Sequence, residues 1–257
     1  MRFLTKTFLC GAFLLVLFPA TIAFADAKSD YEYQFGQYRQ NYAEYTLLKK
    51  DFLDNPTLDN QQKAILAAKQ TISSRESAKA DYATYLLTLI DSSNVTYAPI
   101  NQIIQSLTSA KAFYSAQALK SQSIVTPADL KAFTADYATN SVDPDRSFRT
   151  GNVAYKISQL VGFQVQLKNS LDIILPKLAA PLSTPLQTKI NDLQTQGNDI
   201  NTTIDTFTNK LYSDEEIANI DSDSYFSDKT DTIKNIQTLQ LKWIDSLIDI
   251  DLNYAHS

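Results

Sequence analysis

Apolar residues recur every three or four positions along almost the whole of this chain, a spacing that gathers them on one face of an α-helix. The last two long segments show it without a miss. Leu186, Ile190, Leu193, Gly197, Ile200, Ile204, Phe207 and Leu211 alternate steps of four and three, as do Ile233, Ile236, Gln240, Trp243, Leu247, Ile250 and Tyr254. Nearer the start, Tyr31, Phe35, Tyr38, Tyr42, Tyr45, Leu48 and Phe52 form a similar stripe, ended by Asn55 and Pro56. Heptad-like spacing of this kind predicts seams between paired helices.

Four further segments fill the interval. From about Asp59 to Asp91 the stripe runs through Ile65, Ala68 and Ile72, then Tyr82, Leu86 and Leu89. Arg75 and Lys79 interrupt it, so either the apolar face rotates toward Ala78 or a partner helix ends at that level. Pro99 suits the first turn of a third helix with Ile100, Ile103, Leu107, Ala110 and Tyr114 on its face. Thr126, Pro127 and Asp129 form a helix-start signal, in which a hydroxyl and an acid satisfy open backbone amides, and open a short helix to about Ala138. Asp143 before Pro144 repeats that signal. The helix that follows carries Val153, Ile157, Leu160, Gln164, Leu167, Leu171, Ile174 and Leu178, with Pro176 expected to kink its end.

No strand-like alternation competes with this pattern. The fold class expected is all-α: an elongated antiparallel, coiled-coil-like bundle of about six long helices plus one short helix. Two three-helix modules joined near residues 121–143 are one arrangement, and a single larger bundle is another. The division expected along the chain is 1–25 leader, 26–122 N-terminal helical region, 123–142 short helix and connection, and 143–257 C-terminal helical region.

The first 25 residues have the three parts of an export signal. Arg2 and Lys6 precede the apolar run Phe8 to Phe18, Pro19 breaks it, and Ala23, Phe24 and Ala25 make an A-x-A junction that would leave Asp26 at the new N-terminus. Cys10 follows Leu9 and is itself followed by more apolar residues, which does not suit lipid attachment. The alternative is an uncleaved anchor, since Phe8 to Phe24 just reaches spanning length. The nearest later segment, Leu171 to Leu186, is broken by Asp172, Pro176, Lys177, Pro181 and Pro185. An extracytoplasmic location is therefore expected.

Charge and composition narrow the function classes. The chain has 257 residues, with 23 basic and 28 acidic side chains. Two of the basic ones lie in the leader, so the mature part balances at −7, which argues against nucleic acid and against bulk adhesion to anionic lipid. Five Gly, one Cys, one Met, one Trp and one His leave little material for phosphate-cradling loops, zinc sites, thiol nucleophiles or histidine bases. Removing the leader removes the one cysteine, so no disulfide is expected and stability must come from packing.

Three places carry candidate chemistry, and each has a plainer explanation. The tyrosine stripe would hold sugar rings or a protein partner if exposed; its heptad spacing favours a buried seam, with Tyr33, off the stripe, as the exposed contact. The acids Asp214, Glu215, Glu216, Asp221, Asp223, Asp228 and Asp231 suggest calcium. A loop starting at Asp221, however, puts Phe226 where glycine is needed and Thr232 where a bidentate glutamate is needed. Asp245 and Asp249, four apart on one helical face, have the spacing of a carboxylate pair for glycoside hydrolysis, yet such pairs arise freely among 28 acids. His256, the only imidazole, is the penultimate residue. No catalytic, cofactor-binding or metal residues are assigned, and no cofactor is implied.

The expectation from these residues is an exported, non-enzymatic helical protein that works by contact with a protein partner at the cell envelope. A spacer, adaptor or assembly factor would fit, with a membrane involved only through a retained N-terminal anchor. The alternative is an extracytoplasmic small-ligand or glycan-binding bundle, with a pocket beside Tyr82, Tyr85 or Tyr114. A third is a membrane-inserting protein that uses Leu171 to Leu186.

Overall fold

The computed structural model describes residues 21–97, 99–178, 182–211, 220 and 225–254, with side chains from Asp26 onward except that of Asp228. Regular structure among these residues is entirely helical: α1 (Thr21–Asp54), α2 (Leu58–Ser92), α3 (Ile100–Ser121), α4 (Pro127–Asn140), α5 (Val142–Ile174), α6 (Thr184–Lys210) and α7 (Tyr225–Tyr254). A 3₁₀ turn, Leu175–Lys177, follows α5. The all-α bundle of six long helices and one short one is what the apolar spacing implied. No described helix is long and apolar enough to cross a membrane. The leader, Cys10 and His256 lie outside the described residues.

The chain divides into two compact units, and neither is a continuous stretch of sequence. Unit 1 takes residues up to Ser92 together with Lys111–Asp136, and unit 2 takes Ser93–Ala110 together with Tyr137–Ser257. The expected N-terminal region, 26–122, therefore does not cluster as one body: residues 93–110, the loop after α2 and the first half of α3, group with the C-terminal helices.

Unit 1 is built on the α1–α2 hairpin. Pro56 lacks the amide needed to extend α1, and Asn55 before it is pushed out of helical geometry. Thr57 restarts the chain: its hydroxyl accepts from the Asn60 amide at 3.2 Å, and Asn60 Nδ2 donates to the Asn55 carbonyl at 2.9 Å. No residue of α2 from Thr71 to Ile90 is exposed, so this stretch of the helix is covered all round, whereas Leu58 and Leu66 nearer its start are exposed. Six of its thirteen buried residues are alanines, which let neighbouring helices approach closely. The apolar face does rotate to Ala78 in mid-helix. Arg75 stays half-buried, bonding the carboxylate of Glu76, and Lys79 lies over the Tyr114 ring, 4.8 Å from its centroid.

The start of α4 is a reciprocal capping box. The Thr126 hydroxyl accepts from the Asp129 amide at 3.1 Å, and the Asp129 carboxylate accepts from the Thr126 and Val125 amides at 2.8 and 3.1 Å. Hydrogen bonding to the carboxylate from the Thr126 side chain first, then from the Val125 and Thr126 amides, holds the Asp129 carboxyl below its ordinary range. The matching expectation at Asp143 is corrected: α5 begins at Val142, with Ser141 at the cap in helical geometry, and the Asp143 side chain is solvent-exposed beside Arg146. Asp143 and Asp145 sit inside the first turn, where their charge still favours the helix N-terminus. Pro99 likewise stands one place outside α3, its carbonyl accepting from Ile103.

In unit 2 the seams of α5, α6 and α7 face one another. Every residue of the α6 stripe, Leu186 through Leu211, is buried. Gln164 and Gln240, the polar members of their seams, meet in the core: Gln240 Nε2 donates to Gln164 Oε1 at 3.2 Å and to the Leu160 carbonyl at 2.9 Å, and Gln164 Nε2 donates to the Gly197 carbonyl at 3.4 Å. Pro176 ends α5 instead of kinking it, and Leu178 is buried beyond the 3₁₀ turn.

Candidate functional site

The tyrosine stripe of α1 is not a buried seam, which corrects the expectation drawn from its spacing. Phe35 is 42% exposed and Tyr42 53%, and Ala27 is the only described residue of the helix that is buried. The other stripe members, Tyr31, Tyr38, Tyr45, Leu48 and Phe52, are half-buried, and polar residues share the packing against α2: Asn41 Nδ2 donates to Ser74 Oγ at 3.1 Å, and Thr71 Oγ1 donates to the Asn41 carbonyl at 2.9 Å. Apolar and polar side chains together close this hairpin, and Phe35 and Tyr42 line an edge that solvent reaches.

Those rings touch one another in a continuous ladder. Centroids of Tyr31 and Phe35 are 5.9 Å apart, Phe35 and Tyr38 6.2 Å, and Tyr38 and Tyr42 6.0 Å. At its upper end Tyr31 reaches α2, lying 5.0 Å from Tyr82 and stacked at 6.3 Å on Tyr85. These separations fall within the favourable range for aromatic pairs. Burial, followed by the nearby Glu32 charge, raises the Tyr31 phenol above its ordinary value. On α2 the neighbouring Asp81 carboxyl is also raised, chiefly by burial and next by Asp30, with Lys111 opposing.

Gln34, Gln37 and Asn41 each precede a ladder ring by one residue, so they lie about 100° around α1 from it. With Tyr33 they form one wall of a groove of about 340 Å³. Lys69, Gln70, Ser73, Ser74 and Ser77 of α2 form the other, and Gln122, just past α3, closes it by donating from Nε2 to Ser73 Oγ at 2.9 Å. Tyr33 is 64% exposed at the rim, as its place off the stripe suggested. The groove lies beside Tyr33 and not beside Tyr82, Tyr85 or Tyr114; Tyr114 is fully buried against Phe113 and Lys79. Its signal was present in the sequence as three amide-aromatic doublets, Gln34-Phe35, Gln37-Tyr38 and Asn41-Tyr42.

Asp245 and Asp249 do share a groove in unit 2, of about 360 Å³, with Lys189, Asp192 and Gln196. Asp249 is ion-paired to Lys189 and also accepts from Asn253 Nδ2 at 2.7 Å. The hydrogen bond from Lys189 is the main cause that holds the Asp249 carboxyl below its ordinary range. Glycoside hydrolysis needs one protonated and one ionised carboxyl, and an Asp249 paired with Lys189 suits only the ionised role. Of the acidic stretch, Asp214, Glu215, Glu216, Asp221 and Asp223 lie outside the described residues, and Asp231 is exposed on α7. Among the described residues no group of three or more His, Cys, Asp or Glu is placed to hold a metal ion.

In comparisons with known proteins, no family model, curated protein or solved structure matches this chain.

Proposed function

We propose that this chain is an exported, non-enzymatic helical protein that works by contact with a protein partner at the cell envelope, as a spacer, adaptor or assembly factor. The observation that carries the reading is the partly exposed aromatic ladder of the α1–α2 hairpin, with Phe35 and Tyr42 open to solvent. Tyrosine and phenylalanine supply large contact area at little conformational cost, and Tyr adds a hydroxyl for the wet rim of an interface. The leader supports export, and the acidic balance of the mature part suits a partner with a basic or neutral surface.

A photo-crosslinking residue placed at Tyr42 in intact cells tests this. The expected result is one discrete crosslinked protein from that position and none from exposed Thr195 on α6. Equal, diffuse labelling from both positions overturns the contact reading. Hydrolysis of an envelope polymer by the purified chain, abolished by Asp249→Asn, overturns the non-enzymatic one.

A further inference from the structure

The polar groove beside the ladder has a chemistry of its own, independent of the protein contact proposed for the rings. Its lining holds five side-chain amides, from Gln34, Gln37, Asn41, Gln70 and Gln122, three serine hydroxyls, one lysine and one tyrosine. No carboxylate lines it, although the chain as a whole is acidic. We propose that this groove binds a short neutral oligosaccharide, with the Tyr33 ring stacked on a sugar face and the amides of Gln34 and Gln37 hydrogen-bonded to its hydroxyls.

Three properties favour that ligand class. A side-chain amide both donates and accepts, which matches adjacent sugar hydroxyls that do the same. The floor is held in place by internal hydrogen bonds, Asn41 to Ser74 and Gln122 to Ser73, so only the wall side chains are ordered when a ligand arrives. Among the described residues, no protein group hydrogen-bonds the side chains of Gln34, Gln37 or Lys69. A peptide would need apolar pockets or a strand edge, and Tyr33 is the only large apolar body in the lining. One lysine is too little charge for a nucleic acid. The volume lies at the small end of ligand sites, enough for a short oligosaccharide.

The test uses the purified chain with tetra-N-acetylchitotetraose, cellotetraose and maltotetraose as neutral probes and tetragalacturonate as the anionic one, read by calorimetry and saturation-transfer NMR. Binding of at least one neutral probe at millimolar Kd or tighter is expected. The double variant Tyr33→Ala/Gln37→Ala should weaken it by about tenfold or more. Tyr33→Phe should retain it, and Tyr42→Ala, which alters only the ladder, should leave it unchanged. Tyr33 is exposed, and the side chain of half-buried Gln37 makes no hydrogen bond among the described residues, so thermal melting of the variants should match the parent. No binding of any neutral probe, binding of tetragalacturonate alone through Lys69, or undiminished affinity in the double variant would each overturn the proposal.

Discussion

Trp243 of α7 lies across Gly197 of α6 so closely that a Cβ at Gly197 would stand 3.3 Å from the indole nitrogen. The same indole donates to the Leu193 carbonyl at 2.6 Å, one turn before the glycine, and the ring is 1% exposed. Glycine in mid-helix costs about 1 kcal/mol relative to alanine, so its place here reflects the packing of the tryptophan. The indole cannot withdraw without giving up its hydrogen bond.

Gly197→Ala should therefore destabilise the protein despite the gain in helix propensity. Overpacking costs about 1–3 kcal/mol, which leaves a net loss of up to about 2 kcal/mol. In a Trp243→Leu background the same substitution should be neutral or stabilising, because the ring that meets the new methyl is gone. A double-mutant cycle from urea unfolding gives the coupling, and additive effects would refute it.

Gln164 and Gln240 should behave as a unit. Replacing either one with leucine strands its partner's polar atoms in the core of unit 2, at about 1–3 kcal/mol. The pair Gln164→Leu/Gln240→Leu removes both needs together, so its cost should fall clearly below the sum of the singles. Denaturant midpoints of the four proteins, with unchanged slopes, measure this.

Tyrosine reactivity should follow the exposed ladder. Under limited nitration of the folded chain, Tyr33 and Tyr42 should modify first, while Tyr114 and Tyr225, both buried, should resist until the protein unfolds. Peptide mapping by mass spectrometry reads the order. Slow modification of Tyr42 would mean that the stripe is a closed seam after all.

Alkaline unfolding should carry the mark of Tyr97. Burial pushes its phenol up to about 12 from an ordinary 10.0, and the hydroxyl donates to the Ala154 carbonyl at 3.0 Å. The folded state prefers the protonated ring, so this contribution is complete below pH 10 and is lost as pH rises through about 12. The swing amounts to about 3 kcal/mol. Tyr97→Phe should flatten that part of the stability profile, measured by urea unfolding across the alkaline range; an unchanged slope would contradict the assignment.

Much of the fold was legible because burial imposes a period. The seams of α3, α5 and α6 went into the core residue for residue, since a helix with one apolar stripe has one way to hide it. The capping box at Thr126 and Asp129 was readable for a different reason: its bonds join residues three apart and need nothing from the rest of the chain. At Asp143 the same local signal misled, because α5 starts two residues earlier, with Ser141 in helical geometry at the cap and no side-chain cap bond.

The candidate site was harder to read. Periodicity marked Tyr31, Phe35, Tyr38 and Tyr42 as one face, and that much is correct. Spacing carries no information on how fully a second helix covers the face, and here α2 meets Tyr31 and Asn41, leaving Tyr31 and Tyr38 half-buried and Phe35 and Tyr42 open. The groove also needs Gln122, eighty-odd residues from the doublets that form its first wall, and only folding brings the two together.

By itself, then, the order of amino acids determined that this chain is helical, where most of its helices begin and end, and which residues share a face, because each is settled by interactions within a few turns. Tertiary structure alone decided which faces are covered, that the halves of α3 belong to different units, and that the glutamines of two separate seams meet. Those outcomes depend on competition among many possible helix pairings, whose energies come from the summed fit of distant side chains.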